Sequence, residues 1–131
     1  MTYTSGSRYR EMEVMATTPE RRLVMLYSKL LVLVKQARVE IERGDIIARE
    51  QRLMHADEIV RELAVSLNYE TGGELASSLS SIYSWLLAEF AGIHAKPDTA
   101  RLDAVIGIIA DLHEAWTGAA SQVAEHRAGA V

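Results

Sequence analysis

Apolar residues recur at helical spacing in four stretches of this chain, and no stretch alternates with period two. The longest and most apolar stretch runs from Thr17 to Gly44. Each residue of a helix turns about 100°. Leu23, Tyr27, Leu30, Val34, Ala37 and Ile41 therefore share one stripe, suited to burial against other helices. Val24, Leu26, Leu31 and Leu33 widen that stripe. Met25, Val32 and Val39 do not fit it. They recur every seven residues on the opposite side, among Arg21, Ser28, Gln36 and Arg43.

Local signals bound the helix. Thr18 before Pro19 is one start signal, and Thr17 with Glu20 is a capping box one residue earlier. Gly44 supplies a left-handed end, and Asp45 follows as the next N-cap. A link that short makes the first two helices antiparallel neighbours. The second helix spans roughly Ile46 to Leu67, with Leu53, Ala56, Val60, Leu63, Ala64 and Leu67 as its core stripe. Ile47, Met54 and Val65 lie to one side of it, beyond what a bundle core requires.

The Asn68–Gly73 stretch breaks the pattern. Its paired glycines disfavour a helix interior, and Thr71 with Glu74 has capping-box spacing for a third helix. That helix reaches about Ile93, with Leu75, Leu79, Ile82, Leu86, Phe90 and Ile93 facing the core and Tyr83 and Trp85 flanking on opposite sides. Pro97 closes the next turn and Asp98 is a cap for a fourth helix. Leu102, Val105, Ile106, Ile109, Leu112 and Trp116 form its stripe. Gly107, with Ala104 and Ile108 off the stripe, either permits close approach of another backbone or is simply tolerated in the helix. The expected fold is all-α: an antiparallel up-down-up-down four-helix bundle over residues 17–117. An N-terminal arm precedes it at 1–16, and a frayed or flexible C-terminal tail follows at 118–131. Tyr9, Met12 and Val14 make the arm too apolar for a purely solvated tail, and they are candidates to fold back over an apolar surface.

Composition agrees with one helical domain: 131 residues, 49% hydrophobic and 24% charged, with only 6% aromatic residues and two prolines. The net charge of −4 and the absence of a basic run argue against nucleic acid as a partner. The N-terminus has no secretory h-region. The apolar run Leu23–Val34 is 12 residues long and holds Lys29, short of the roughly 20 that span a bilayer. These features lead to the expectation of a cytoplasmic protein that does not insert into a membrane. The lack of cysteine removes disulfides, thiolate metal sites and cysteine nucleophiles.

Chemistry is sparse. His55, His94, His113 and His126 form no pair at helical ligand spacing, and no Glu-x-x-His pair of the di-iron type exists. Gly72-Gly73 has neither the strand nor the Gly-Lys-Ser/Thr of a phosphate loop. The serines between Ser77 and Ser84 lack a glycine elbow. Neither a metal site, a cofactor nor catalysis is expected. Surplus apolar surface remains: Met25, Val32, Val39, Ile47, Met54, Val65, Ala104, Gly107 and Ile108. Such surface on a soluble domain marks protein binding, and methionine suits a pliable partner.

Six stretches resemble the flagellin-specific export chaperones, the FliS family. They are Tyr9 with Val14; Thr18-Pro19-Glu20; Met25-Leu26-Tyr27 running on to Lys35-Gln36-Ala37; Gly44-Asp45-Ile46; Ile59-Val60-Arg61-Glu62-Leu63 with Leu67; and Gly72-Gly73-Glu74-Leu75-Ala76 with Leu79 and Tyr83. Asp98, Leu102 and Trp116 also fall where that family has an Asp, a Leu and a Trp. The chain departs from the pattern at Ala16, Ser28-Lys29, Val32 and Ile93-His94. The resemblance implies a cytoplasmic four-helix bundle without enzymatic activity. Its partner would be the disordered C-terminal segment of flagellin, wrapped around the bundle, with the type III export gate as a further contact. It also implies an arm that covers part of the apolar surface until flagellin displaces it. The nine surplus residues are then the client-binding candidates. The expected oligomeric state is a monomer or weak homodimer; the competing reading is a homodimeric interaction module that buries the same stripes.

Overall fold

The computed structural model describes residues 18–129 as four helices: α1 (Pro19–Arg43), α2 (Ile46–Val65), α3 (Tyr69–Ala95) and α4 (Thr99–Gly129). The arm candidates Tyr9, Met12 and Val14 lie outside the described residues.

Each helix start has a local cause. The Thr18 hydroxyl accepts a hydrogen bond from the Arg21 amide at 3.2 Å, so Thr18 is the cap that forms, with Pro19 first in the helix. Gly44 takes φ 71°, and its amide and that of Asp45 return to Ile41 and Glu40 carbonyls. The Asp45 carboxylate then accepts from the Ala48 amide at 3.1 Å and opens α2. Asp98 does the same for α4 through the Arg101 amide at 3.1 Å.

Polar side-chain contacts between helices reveal the topology. Arg22 of α1 meets Glu62 of α2 at 3.0 Å, and His94 of α3 meets Glu50 of α2 at 2.5 Å. Arg38 of α1 meets Asp103 of α4 at 2.5 Å, and Arg101 of α4 meets Glu89 of α3. Every pair joins the early part of one helix to the late part of its neighbour. The four helices thus run up-down-up-down around a ring. Helix α1 packs most extensively, against α2 and α4, whereas the α3–α4 seam is the thinnest.

The core takes Tyr27, Leu30, Leu33, Val34 and Ala37 from α1, and Leu53, Ala56, Ile59, Val60 and Leu63 from α2. Leu79, Tyr83, Leu86, Phe90 and Ile93 come from α3, and Leu102, Val105 and Ile109 from α4. This follows the expected stripes closely. Burial of such side chains stabilises by roughly 1.5–3 kcal/mol each.

Two expectations are corrected near the α2–α3 link. Helix α3 is capped by Asn68, not Thr71: the Asn68 side chain accepts from the Glu70 and Thr71 amides. One helical turn follows, and the break falls at Gly73, whose φ of 50° and ψ of −123° suit only glycine. Leu75, expected in the core, is 59% exposed. Counting along both helices from the Glu50–His94 pair sets Leu75 level with position 69, past the end of α2 at Val65. Helix α2 is too short to cover it, and Ala76 is buried instead. Helix α4 continues beyond Thr117 to Gly129.

Candidate protein-binding surface

All nine surplus residues face outward. Met25, Val32, Val39, Ile47, Met54, Val65 and Ile108 are between 37% and 87% exposed, and Ala104 and Gly107 are exposed with them. The core is complete without them, so bundle folding gives no reason for their apolar character.

The structure does not gather them into one patch. Met25, Val32 and Val39 sit at the back of α1, diametrically opposite its buried stripe. Ile47, Met54 and Val65 lie along the outer side of α2. Ala104 and Ile108 lie on the flank of α4 that also carries Arg101, which reaches Glu89 of α3. Only a ligand that passes around the bundle could touch all three groups.

Two concave features accompany these faces. One, of about 330 Å³, lies between α2 and α3. Its floor is Leu53, Met54, Leu87 and Phe90; its ends are closed by the Glu50–His94 hydrogen bond and by the Asp57–Arg61 ion pair at 2.6 Å. Burial pushes the Glu50 carboxyl up, but hydrogen bonds from Arg49 and His94 outweigh it and hold the group below the usual carboxylate range. Arg49, at 2.7 Å from Glu50, is the buried charged residue that anchors this end. The second cavity, about 400 Å³, lies where α1 begins and α2 ends. Leu23, Leu26 and Pro19 give it an apolar wall, and Thr18, the first described residue, stands on its rim.

Further apolar residues are exposed: Ile46 and Tyr69, which the sequence pattern did not mark, Leu75, which it placed in the core, and Trp85, which it placed on the flank of that core face. Val65, Tyr69 and Leu75 all cluster in sequence around the α2–α3 link. Phase alone could not mark Leu75, because its angle on the helix matches the core. Among the described residues, no group of three or more His, Asp or Glu side chains is placed to hold a metal ion, and no helix is long and apolar enough to cross a membrane.

The flagellar protein FliS family model matches residues 2–123. The chain belongs to the FliS family. It is 29% identical over 121 residues to the flagellar secretion chaperone FliS of Bacillus subtilis, covering 92% of this chain and 90% of that relative. It is 29% identical over 107 residues to the Salmonella typhimurium protein of the same name, covering 81% and 79%. It is 30% identical over 108 residues to flagellar secretion chaperone FliSB of Pseudomonas aeruginosa, covering 82% and 86%. A crystal structure of a bacterial flagellar chaperone superposes with a TM-score of 0.75 at 18% identity, over 93% of this chain and 99% of that one, which establishes the shared fold. FliS is a family of export chaperones, not of enzymes.

Proposed function

We propose that this protein binds the disordered C-terminal segment of newly made flagellin in the cytoplasm, prevents its premature polymerisation and assists its delivery to the flagellar type III secretion system. The observation that carries this reading is the set of nine outward apolar residues on three helices around a core that does not need them. A disordered client loses conformational entropy on ordering, so tight binding requires a long apolar surface. Residues spread around a bundle suit a segment that wraps as short helices and extended pieces.

The N-terminal arm fits the same reading. Residues 1–16, through Tyr9, Met12 and Val14, shield apolar surface until the client arrives. Tethering at Thr18, on the rim of the Leu23–Leu26 cavity, keeps the arm at high local concentration there. Components of the export gate are the second class of partner.

The test is titration with flagellin carrying or lacking its C-terminal segment. Intact flagellin binds and the truncated form does not. Equal binding of both, or of neither, refutes the reading.

A further inference from the structure

We propose that the outward face of α1 is a docking seam for one acidic amphipathic helix of the client, a reading that rests on the chaperone function proposed above. Met25, Val32 and Val39 repeat every seven residues along this face, one apolar position per heptad, with the polar Ser28, Lys29, Lys35 and Gln36 between them, so the stripe is a narrow contact line for one helix. At about 100° per residue the three lie within roughly 40° of one another on the helix. All three are at least 41% exposed. From Met25 to Val39 the stripe spans about 21 Å, four turns of a partner helix.

Charge selects the occupant. Lys29 lies on one flank of the stripe and Lys35 on the other, while Arg21 and Arg43 stand at its two ends. Among the described residues, Arg21, Lys29 and Lys35 have no carboxylate within ion-pair distance, and Arg43 has only Glu40 at 3.7 Å. The neighbouring Glu42 is held by Arg38. A chain of net charge −4 thus presents a basic border around this one apolar stripe.

The same border argues against a second copy of this chain. Two α1 helices paired antiparallel about Val32 would set Lys29 against Lys35 and Arg21 against Arg43 of the other copy. Parallel pairing would set each cation against itself. Like charges so placed oppose association. A partner helix with apolar residues three and four apart, bordered by glutamate or aspartate, meets both the stripe and its rim. Such complementarity also speeds encounter.

The test uses the full chain and a synthetic three-heptad helix with leucine along its seam and glutamate beside it, together with a version carrying lysine in place of glutamate. Fluorescence anisotropy should show the glutamate helix binding and the lysine helix not. Val32→Asp should weaken the glutamate helix about tenfold or more. Lys29→Glu with Lys35→Glu should invert the preference, and added salt should weaken binding. These positions are exposed, and unchanged circular dichroism verifies folding. Equal binding of the two helices, no binding of either, or indifference to the double reversal overturns the proposal. Intact flagellin separates the two readings. If it binds but ignores the α1 variants, the seam is refuted and the chaperone reading stands. If it does not bind at all, the chaperone reading falls and the client assignment of the seam falls with it.

Discussion

The hydroxyls of Tyr27 and Tyr83 are hydrogen-bonded to each other in the centre of the bundle, joining α1 to α3 across its diagonal. Both rings are buried. The half-buried Trp116 side chain packs against the same core. Either hydroxyl can donate to the other, and the pair ties α1 to α3 inside the core. Tyr83→Phe leaves the buried Tyr27 hydroxyl without its partner and should destabilise by about 1–3 kcal/mol. Tyr27→Phe leaves the Tyr83 hydroxyl without its partner in the same way and should cost a similar amount. Changing both tyrosines should cost less than the two single losses added together, because neither buried hydroxyl then remains. Urea unfolding of the wild type and the three variants measures this directly; strict additivity would show that the pair does not interact.

The same pair predicts behaviour in alkali. Burial, first, raises both phenols above the ordinary tyrosine value; for Tyr27 the bond to Tyr83 raises it further. The folded state then keeps protons that the unfolded chain releases. Stability from these groups is complete below the ordinary value near pH 10 and falls as pH rises above it. Denaturation midpoints across this range should decline for the wild type and decline less for the double phenylalanine variant.

Much of this molecule was legible because the relevant signals are local. Thr18, Gly44 and Asp45 mark their turns through bonds that span at most five residues. Helical phase correctly separated Tyr27 from Met25. Leu75 was misread for a non-local reason: its burial depends on how far α2 extends, and phase carries no such information. Gly73 was recognised as a breaker, but not that a helical turn would precede it. The Tyr27–Tyr83 bond connects positions 56 residues apart, beyond any periodicity argument. For the surface, phase showed which residues point outward, but only the assembled bundle shows them divided among three faces.

Gly92 makes room for Arg101. A methyl group at this position would overlap the Arg101 guanidinium, which crosses α3 there to reach Glu89. Alanine improves a helix interior by about 0.5–1 kcal/mol, but here it displaces a flexible side chain from its partly buried carboxylate partner. Gly92→Ala alone should therefore change stability little. In an Arg101→Ala background the same substitution should stabilise by the full helical increment. Thermal unfolding in both backgrounds distinguishes this from a glycine that matters for its backbone alone, which would respond alike in each.

Met25 and Met54 test whether exposure means use. Both are more than half exposed, so Met25→Asp and Met54→Asp should shift folding stability by no more than about 0.5 kcal/mol. Each should nonetheless weaken flagellin binding about tenfold or more, the effect of placing a charge inside an apolar contact. Losses of stability that match the losses of affinity would show that these residues serve the bundle instead.

Gly107 offers the sharpest separation of folding from function. It lies mid-helix in α4, its φ is not positive, and an added methyl group would meet nothing within 4 Å. Gly107→Ala should stabilise the protein by about 0.5–1 kcal/mol, through helix propensity and a less free unfolded chain. Gly73→Ala is the contrasting case: its positive φ should make the same chemical change destabilising, by about 1–3 kcal/mol. If Gly107 is there so that a client backbone can approach α4 beside Ala104 and Ile108, the stabilised Gly107→Ala variant should bind flagellin more weakly. A rise in melting temperature together with a loss of affinity supports that role. Undiminished affinity removes Gly107 from the client surface and leaves it as a glycine the helix merely tolerates.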